Sequence, residues 1–177
     1  MKPLIALLTI ALLSALPAGA ARAHEFRIVL LVPSAAQAEA RNAFLLASSE
    51  RDSHPDETSE GHLGGVDSQL EIVAPGARLP PTDIAVMAGR SRPPALPGSV
   101  WLVLPDLVSQ AARTRILGAG PGGFSARFKA RYGTAPGPDA TRIYIAARLV
   151  DIAVRAHDGV ASRPEMEAAI LPWLAPQ

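Results

Sequence analysis

Four histidines, sixteen carboxylates and no cysteine bound the chemistry open to this chain. Without a thiol there is no cysteine nucleophile, no thiolate metal ligand and no disulfide. The densest run of ligating residue types is His54-Pro-Asp56-Glu57-Thr-Ser-Glu60-Gly-His62, two imidazoles among three carboxylates. Such donors suit zinc or copper. Their spacing matches no metal motif, however, and a solvated acidic loop has the same composition. Arg90-Ser91-Arg92 sets two guanidinium groups around a hydroxyl, a combination that suits an anionic group and equally a solvated loop. Ser34 follows an apolar run and precedes a helical pattern, so its hydroxyl either caps the helix or faces a ligand. There is no G-x-S-x-G, H-E-x-x-H or phosphate-loop signature. No catalytic residue and no cofactor are therefore expected. The candidate ligand-binding set is Ser34, Arg90, Ser91 and Arg92, with no metal site assigned apart from the copper or zinc alternative.

The elements that must position these residues begin after an export signal. Lys2 precedes a nearly unbroken apolar run at residues 4–16, and Ala21-Arg22-Ala23 is a signal-peptidase pattern. The run is short for a bilayer span. Residues 1–23 are thus expected to be a cleaved signal peptide and residues 24–177 a single domain located in the periplasm. Cleavage there makes His24 the new N-terminus, whose amine and ring can chelate copper provided that His54, His62 or His157 folds against it. Lys2 and Arg22 are the leader's charges, so 15 of the 17 basic residues face all 16 acidic ones in the mature part. That balance gives no basic surplus for nucleic acid or anionic lipid.

Residues 26–32 form an apolar run closed by Pro33, the pattern of a strand buried on both faces. Ser34 with Gln37 has capping-box spacing and opens a helix to about residue 49. Residues 50–65 read as a polar loop. Strands are expected at 69–73, 82–88 and 100–104, and helices follow at 106–117, at 124–132, from Asp139 with an apolar face of Ile143, Ala146, Ala147, Val150 and Val154, and at 162–171. Asp106, Asp139 and Ser162 are the expected caps of the first, third and fourth of these, Ser162 in a box with Glu165. The glycines at 118, 120, 122 and 123 read as a break. The expected fold is α/β: a three-layer sandwich around a short, mostly parallel four-stranded sheet. Residues 73–82 are too few for a crossover helix, so the second and third strands are either not neighbours or have lost an element.

Three stretches resemble the type 1 periplasmic binding proteins, the leucine/isoleucine/valine-binding branch of the ABC-transporter substrate-binding proteins. They are IVLLVPSAAQAEARNAFLLA at 28–47, GGVDSQLEI at 64–72, and FSARFKARYGTAPGPDATRIYIAARLVDIAVRA at 124–156. The last is the most specific, with Phe124, Phe128, Tyr132-Gly133 and Tyr144-x-Ala146-Ala147 at the family's places. Family members hold a ligand between two lobes, and this chain has room for about one. The resemblance implies a non-catalytic, single-lobe periplasmic solute-binding protein, or an accessory remnant that binds a partner. It implies a ligand site in the loops of Ser34 and of Arg90–Arg92. The expected partners are a small-molecule solute or a periplasmic protein, ABC-transporter membrane subunits, or a second copy completing the cleft as a homodimer. The alternative is a periplasmic copper- or zinc-binding protein using His24 and the His54–His62 loop.

Overall fold

A computed structural model describes residues 25–51, 62–89 and 94–176. The expected signal peptide, His24, His54 and Arg90–Arg92 lie outside the described residues. The elements run β1 (Glu25–Leu31), α1 (Gln37–Ser49), β2 (His62–Leu63), β3 (Val66–Val73), β4 (Ile84–Met87) and β5 (Trp101–Val103). Four helices follow: α2 (Gln110–Leu117), α3 (Phe124–Tyr132), α4 (Pro138–His157) and α5 (Arg163–Ile170). The fold is α/β, as the alternation of apolar runs and helical patterns requires.

The sheet order is β2-β3-β1-β4-β5. β3, β1, β4 and β5 are mutually parallel where they pair, and β2 is antiparallel to β3. The described sheet therefore has five strands, where four were expected. The extra strand comes from the end of the supposed loop. Gly64 and Gly65 both have positive φ, which lets a two-residue turn fold His62–Leu63 back on Val66–Asp67. β3 and β4 are not neighbours, because β1 lies between them. The short connection between them thus joins non-adjacent strands.

Alternation along the strands divides the sheet into two faces. Phe26, Ile28 and Leu30 of β1, with Ile84 and Val86 of β4 and Trp101 and Val103 of β5, form one apolar row. Every buried apolar residue of the five helices belongs to the same cluster, including Phe44, Phe128, Ile143, Val150 and Met166. Val29, Leu31, Ala85 and Met87 form the opposite row; they are equally buried but lie outside that cluster. Right-handed crossovers that run in opposite directions across the sheet lie on its opposite faces. α1 carries the chain from β1 towards β3 on the helical face. The β3–β4 connection and the described parts of the β4–β5 connection then belong to the other face. They are irregular and rich in proline, and Pro80, Pro81, Pro94 and Pro97 line a shared groove of about 390 Å³. A helical third layer was expected and is not found among the described residues. Proline lacks the N–H a helix interior needs, so these segments cross as irregular chain with short turns.

Three helix starts differ in detail from expectation. Ser34 opens a single 3-10 turn, Ser34–Ala36, and its hydroxyl makes no capping bond. Ser109, not Asp106, caps α2 by accepting the Ala112 N–H at 3.2 Å. Asp106 is engaged by Arg142 instead, at 3.0 Å. α4 starts at Pro138, suited to the first turn because its missing N–H is not required there. At α5 the Ser162–Glu165 capping box is formed as the spacing predicted.

Candidate functional site

β1 and β4 are hydrogen-bonded neighbours up to the pair Leu31↔Met87. Their continuations diverge, one through α1 towards β3 and the other towards β5. The carboxyl ends of two adjacent parallel strands whose connections part in this way frame a crevice, the usual ligand position in open α/β sheets. Ser34 stands three residues beyond β1 on this edge and is exposed. The loop holding Arg90, Ser91 and Arg92 leaves β4 from the adjacent strand end, although those three residues lie outside the described set. The edge is held by backbone bonds: Val32 N–H donates to Val73 O at 3.0 Å and Ala88 N–H to Leu31 O at 3.4 Å. Gln37 Nε2 reaches back to the Val32 carbonyl at 3.4 Å. Gln37, expected to complete a box with Ser34, thus braces the strand end instead.

Two polar clusters on the helical side carry the strongest local chemistry. Tyr144 is 1% exposed and donates its hydroxyl to Glu50 Oε2 at 2.6 Å. Arg127 Nε donates to Glu50 Oε1 at 2.6 Å, and its Nη2 donates to the Tyr144 oxygen at 2.8 Å. Burial, then the Glu50 carboxylate, pushes the Tyr144 hydroxyl up to about 12. Burial disfavours the Arg127 charge, but the bonds to Glu50 and Tyr144 outweigh it and raise its pKa. A phenol held protonated and a guanidinium held charged are poor general bases near neutral pH. This triad joins the end of α1 to α3 and α4. Phe124 stacks on Tyr144 at 4.2 Å between ring centroids, and Phe128 lies 5.5 Å from Phe124 and 4.8 Å from Tyr132. The Phe-x3-Phe-x3-Tyr spacing therefore forms a packing stripe on α3.

The second cluster surrounds Asp151, a carboxylate 1% exposed on α4. It accepts the Gly64 N–H at 2.9 Å and the Arg155 guanidinium at 3.0 Å, with Arg51 at 3.5 Å. A buried carboxylate needs such partners to offset the hydration it loses. Here they fasten the β2–β3 turn to α4. His62, the described end of the suspected metal loop, is buried on β2 and pairs with Asp67 directly across the hairpin at 2.5 Å. His157 is on α4, its ring beside the Glu165 carbonyl at 3.2 Å. Among the described residues no group of three or more His, Cys, Asp or Glu side chains is placed to hold a metal ion. Trp101 is buried in the helical core, and Trp173 lies under the Arg115 guanidinium at 3.7 Å.

Comparison with protein-family models, with curated proteins and with solved structures finds no match in any of the three. The functional reading therefore rests on the residues and their geometry.

Of the residues singled out from sequence, Ser34 is placed on the β1 edge, with the Arg90–Arg92 loop leaving the neighbouring strand. The Glu50–Arg127–Tyr144 triad and the Asp151 anchor were not foreseen. A single acid or arginine among many scattered on amphipathic helices carries no signal of its own. Asp151 did leave one trace, because it falls on the apolar stripe of α4 between Val150 and Val154. A charge on a buried stripe implies a buried partner.

Proposed function

We propose that this protein is a non-catalytic periplasmic solute-binding domain, related to the substrate-binding proteins of ABC transporters and reduced to about one of their two lobes. The observation that supports it is the direct pairing of β1 with β4, so that the segments following Leu31 and Met87 set out from neighbouring strand ends. The exposed Ser34 hydroxyl offers a neutral hydrogen bond at this edge. The two arginines supply charge complementary to a carboxylate-bearing solute. A single lobe presents an open shelf, so water competes for half of the ligand's polar groups and affinity is modest. A periplasmic partner that closes over the shelf would complete the site.

The test is a thermal-shift screen of the purified protein against amino acids, short organic acids, Cu²⁺ and Zn²⁺. A carboxylate-bearing solute at a hundred times its dissociation constant should stabilise the fold by about 2.7 kcal/mol. Arg90→Ala with Arg92→Ala should abolish that shift, and Ser34→Ala should reduce it. Because Ser34 is exposed, its replacement should change the stability of the free protein by less than about 0.5 kcal/mol. A shift with metal alone would replace this reading with the copper or zinc alternative. No shift with any compound would leave the edge as a protein-binding surface and reject the solute.

A further inference from the structure

The β5 end of the sheet carries an independent observation. β5 pairs with β4 on one side and closes the sheet order on the other. Beside it runs a groove of about 330 Å³ lined chiefly by Leu102, Leu104, Leu107, Ile170, Leu171 and Leu174. Three large hydrophobic residues among those described stand exposed, and two of them, Leu107 at 45% and Leu171 at 63%, belong to this groove. Isolated exposed leucines need no explanation, but two at the mouth of one leucine-lined groove form a patch. Just beyond β5 the chain is covered, since Ser109 N–H donates to Trp173 O at 3.0 Å and Ala175 N–H to Leu107 O at 2.8 Å, so the groove is an apolar gap left between β5 and α5.

The charged residues of the groove indicate what covers it. Arg163 and Glu167 lie one turn apart on α5, 2.7 Å from each other and about half exposed. The groove thus presents one cation and one anion beside an apolar floor. A two-fold interface brings the same patch of both subunits together, so it must be complementary to itself. An apolar patch bearing one charge of each sign meets that requirement: in an antiparallel approach Arg163 of each copy faces Glu167 of the other. A patch of one sign would repel its own copy and call for a partner of opposite charge.

We propose that the β5 edge is a homodimer interface, in which Leu107 and Leu171 of each copy are buried against the groove of the other and Arg163 and Glu167 form a four-charge cluster across the two-fold axis. This interface is separate from the β1–β4 edge and does not depend on any solute being bound there.

The test is sedimentation equilibrium on the purified full-length protein and its variants, with thermal melting as the folding control. The wild type should be a concentration-dependent dimer. Leu171→Glu should raise the dimer dissociation constant about tenfold or more while leaving the melting of the monomer unchanged. Leu107→Lys should do the same from the opposite side of the groove. Arg163→Glu, which leaves four acids facing one another, should dissociate the dimer, and adding Glu167→Arg should restore it. A wild type that stays monomeric at its highest soluble concentration overturns the proposal. So does a dimer indifferent to both leucine replacements, or one that the paired charge exchange fails to restore.

Discussion

The two faces of the sheet bury similar side chains by different means. On one face, the row of Phe26, Ile28 and Leu30 meets α1 and α4, whose own apolar stripes interlock with it in a single cluster. On the other, Val29, Leu31, Ala85 and Met87 are just as sheltered but lie outside that cluster. The crossovers assigned to this face are irregular and proline-rich. Helices satisfy their own backbone and present rigid, dense surfaces, whereas irregular chain has little internal bonding to keep it in place. The helical side should therefore be the rigid half of the molecule and the proline-rich side the adaptable one.

Neighbouring residues on one strand test this most directly. Leu30 and Leu31 are 0% and 2% exposed and point to opposite faces. Replacing a buried leucine by alanine costs about 2–5 kcal/mol, depending on how far the surroundings collapse into the cavity. Leu30→Ala should fall near the top of that range and Leu31→Ala near the bottom, as read by urea denaturation. Equal losses would mean that the irregular layer is packed as rigidly as the helices.

A pair of glycines sharpens the same contrast. Gly64 and Gly76 have φ of +68° and +88°. A Cβ on Gly64 would stand 2.6 Å from Val154 Cγ1 and 2.7 Å from the Arg155 nitrogen, while one on Gly76 meets nothing within 4 Å. Gly76→Ala should cost about 1–2 kcal/mol, from the left-handed backbone alone. Gly64→Ala should cost about 3 kcal/mol or more, because it also pushes the hairpin off α4 and strains the bond to Asp151. Equal losses would show that the hairpin yields at little cost.

The smallest effect is a pH dependence originating on the helical side. In the folded protein the Tyr144 hydroxyl is raised from 10.0 to about 12. Its protonated form is thus favoured by folding, and that contribution is complete below pH 10. As pH rises from 10 towards 12 the unfolded chain loses this proton first, so stability falls, by on the order of 2 kcal/mol. Tyr144→Phe should flatten this decline while lowering stability at neutral pH by about 1 kcal/mol through the lost bond to Glu50. An unchanged alkaline slope in the variant would place the titrating group elsewhere.

Local sequence determined most of the elements. The buried strands 26–32, 82–88 and 100–104 were legible because β-branched and leucine-rich runs end at Pro33, Gly89 and Pro105. The long helix α4 was legible from the apolar stripe of Ile143, Ala147, Val150 and Val154. The α5 box was legible because both of its partners lie within one helical turn. Tertiary structure alone decided the fifth strand, since a two-residue strand exists only through its pairing with β3. It also decided that Ser34 caps nothing and that Ser109 displaces Asp106 as a cap, because Asp106 is drawn to Arg142 from a distant helix. Gathering the described helices on one side of the sheet required the strand order, which no local pattern encodes. Glu50 and Tyr144 are separated by 94 positions, and Gly64 and Asp151 by 87. Periodicity and capping act over one or two helical turns. Side chains from separate elements meet only once the sheet has fixed where those elements run.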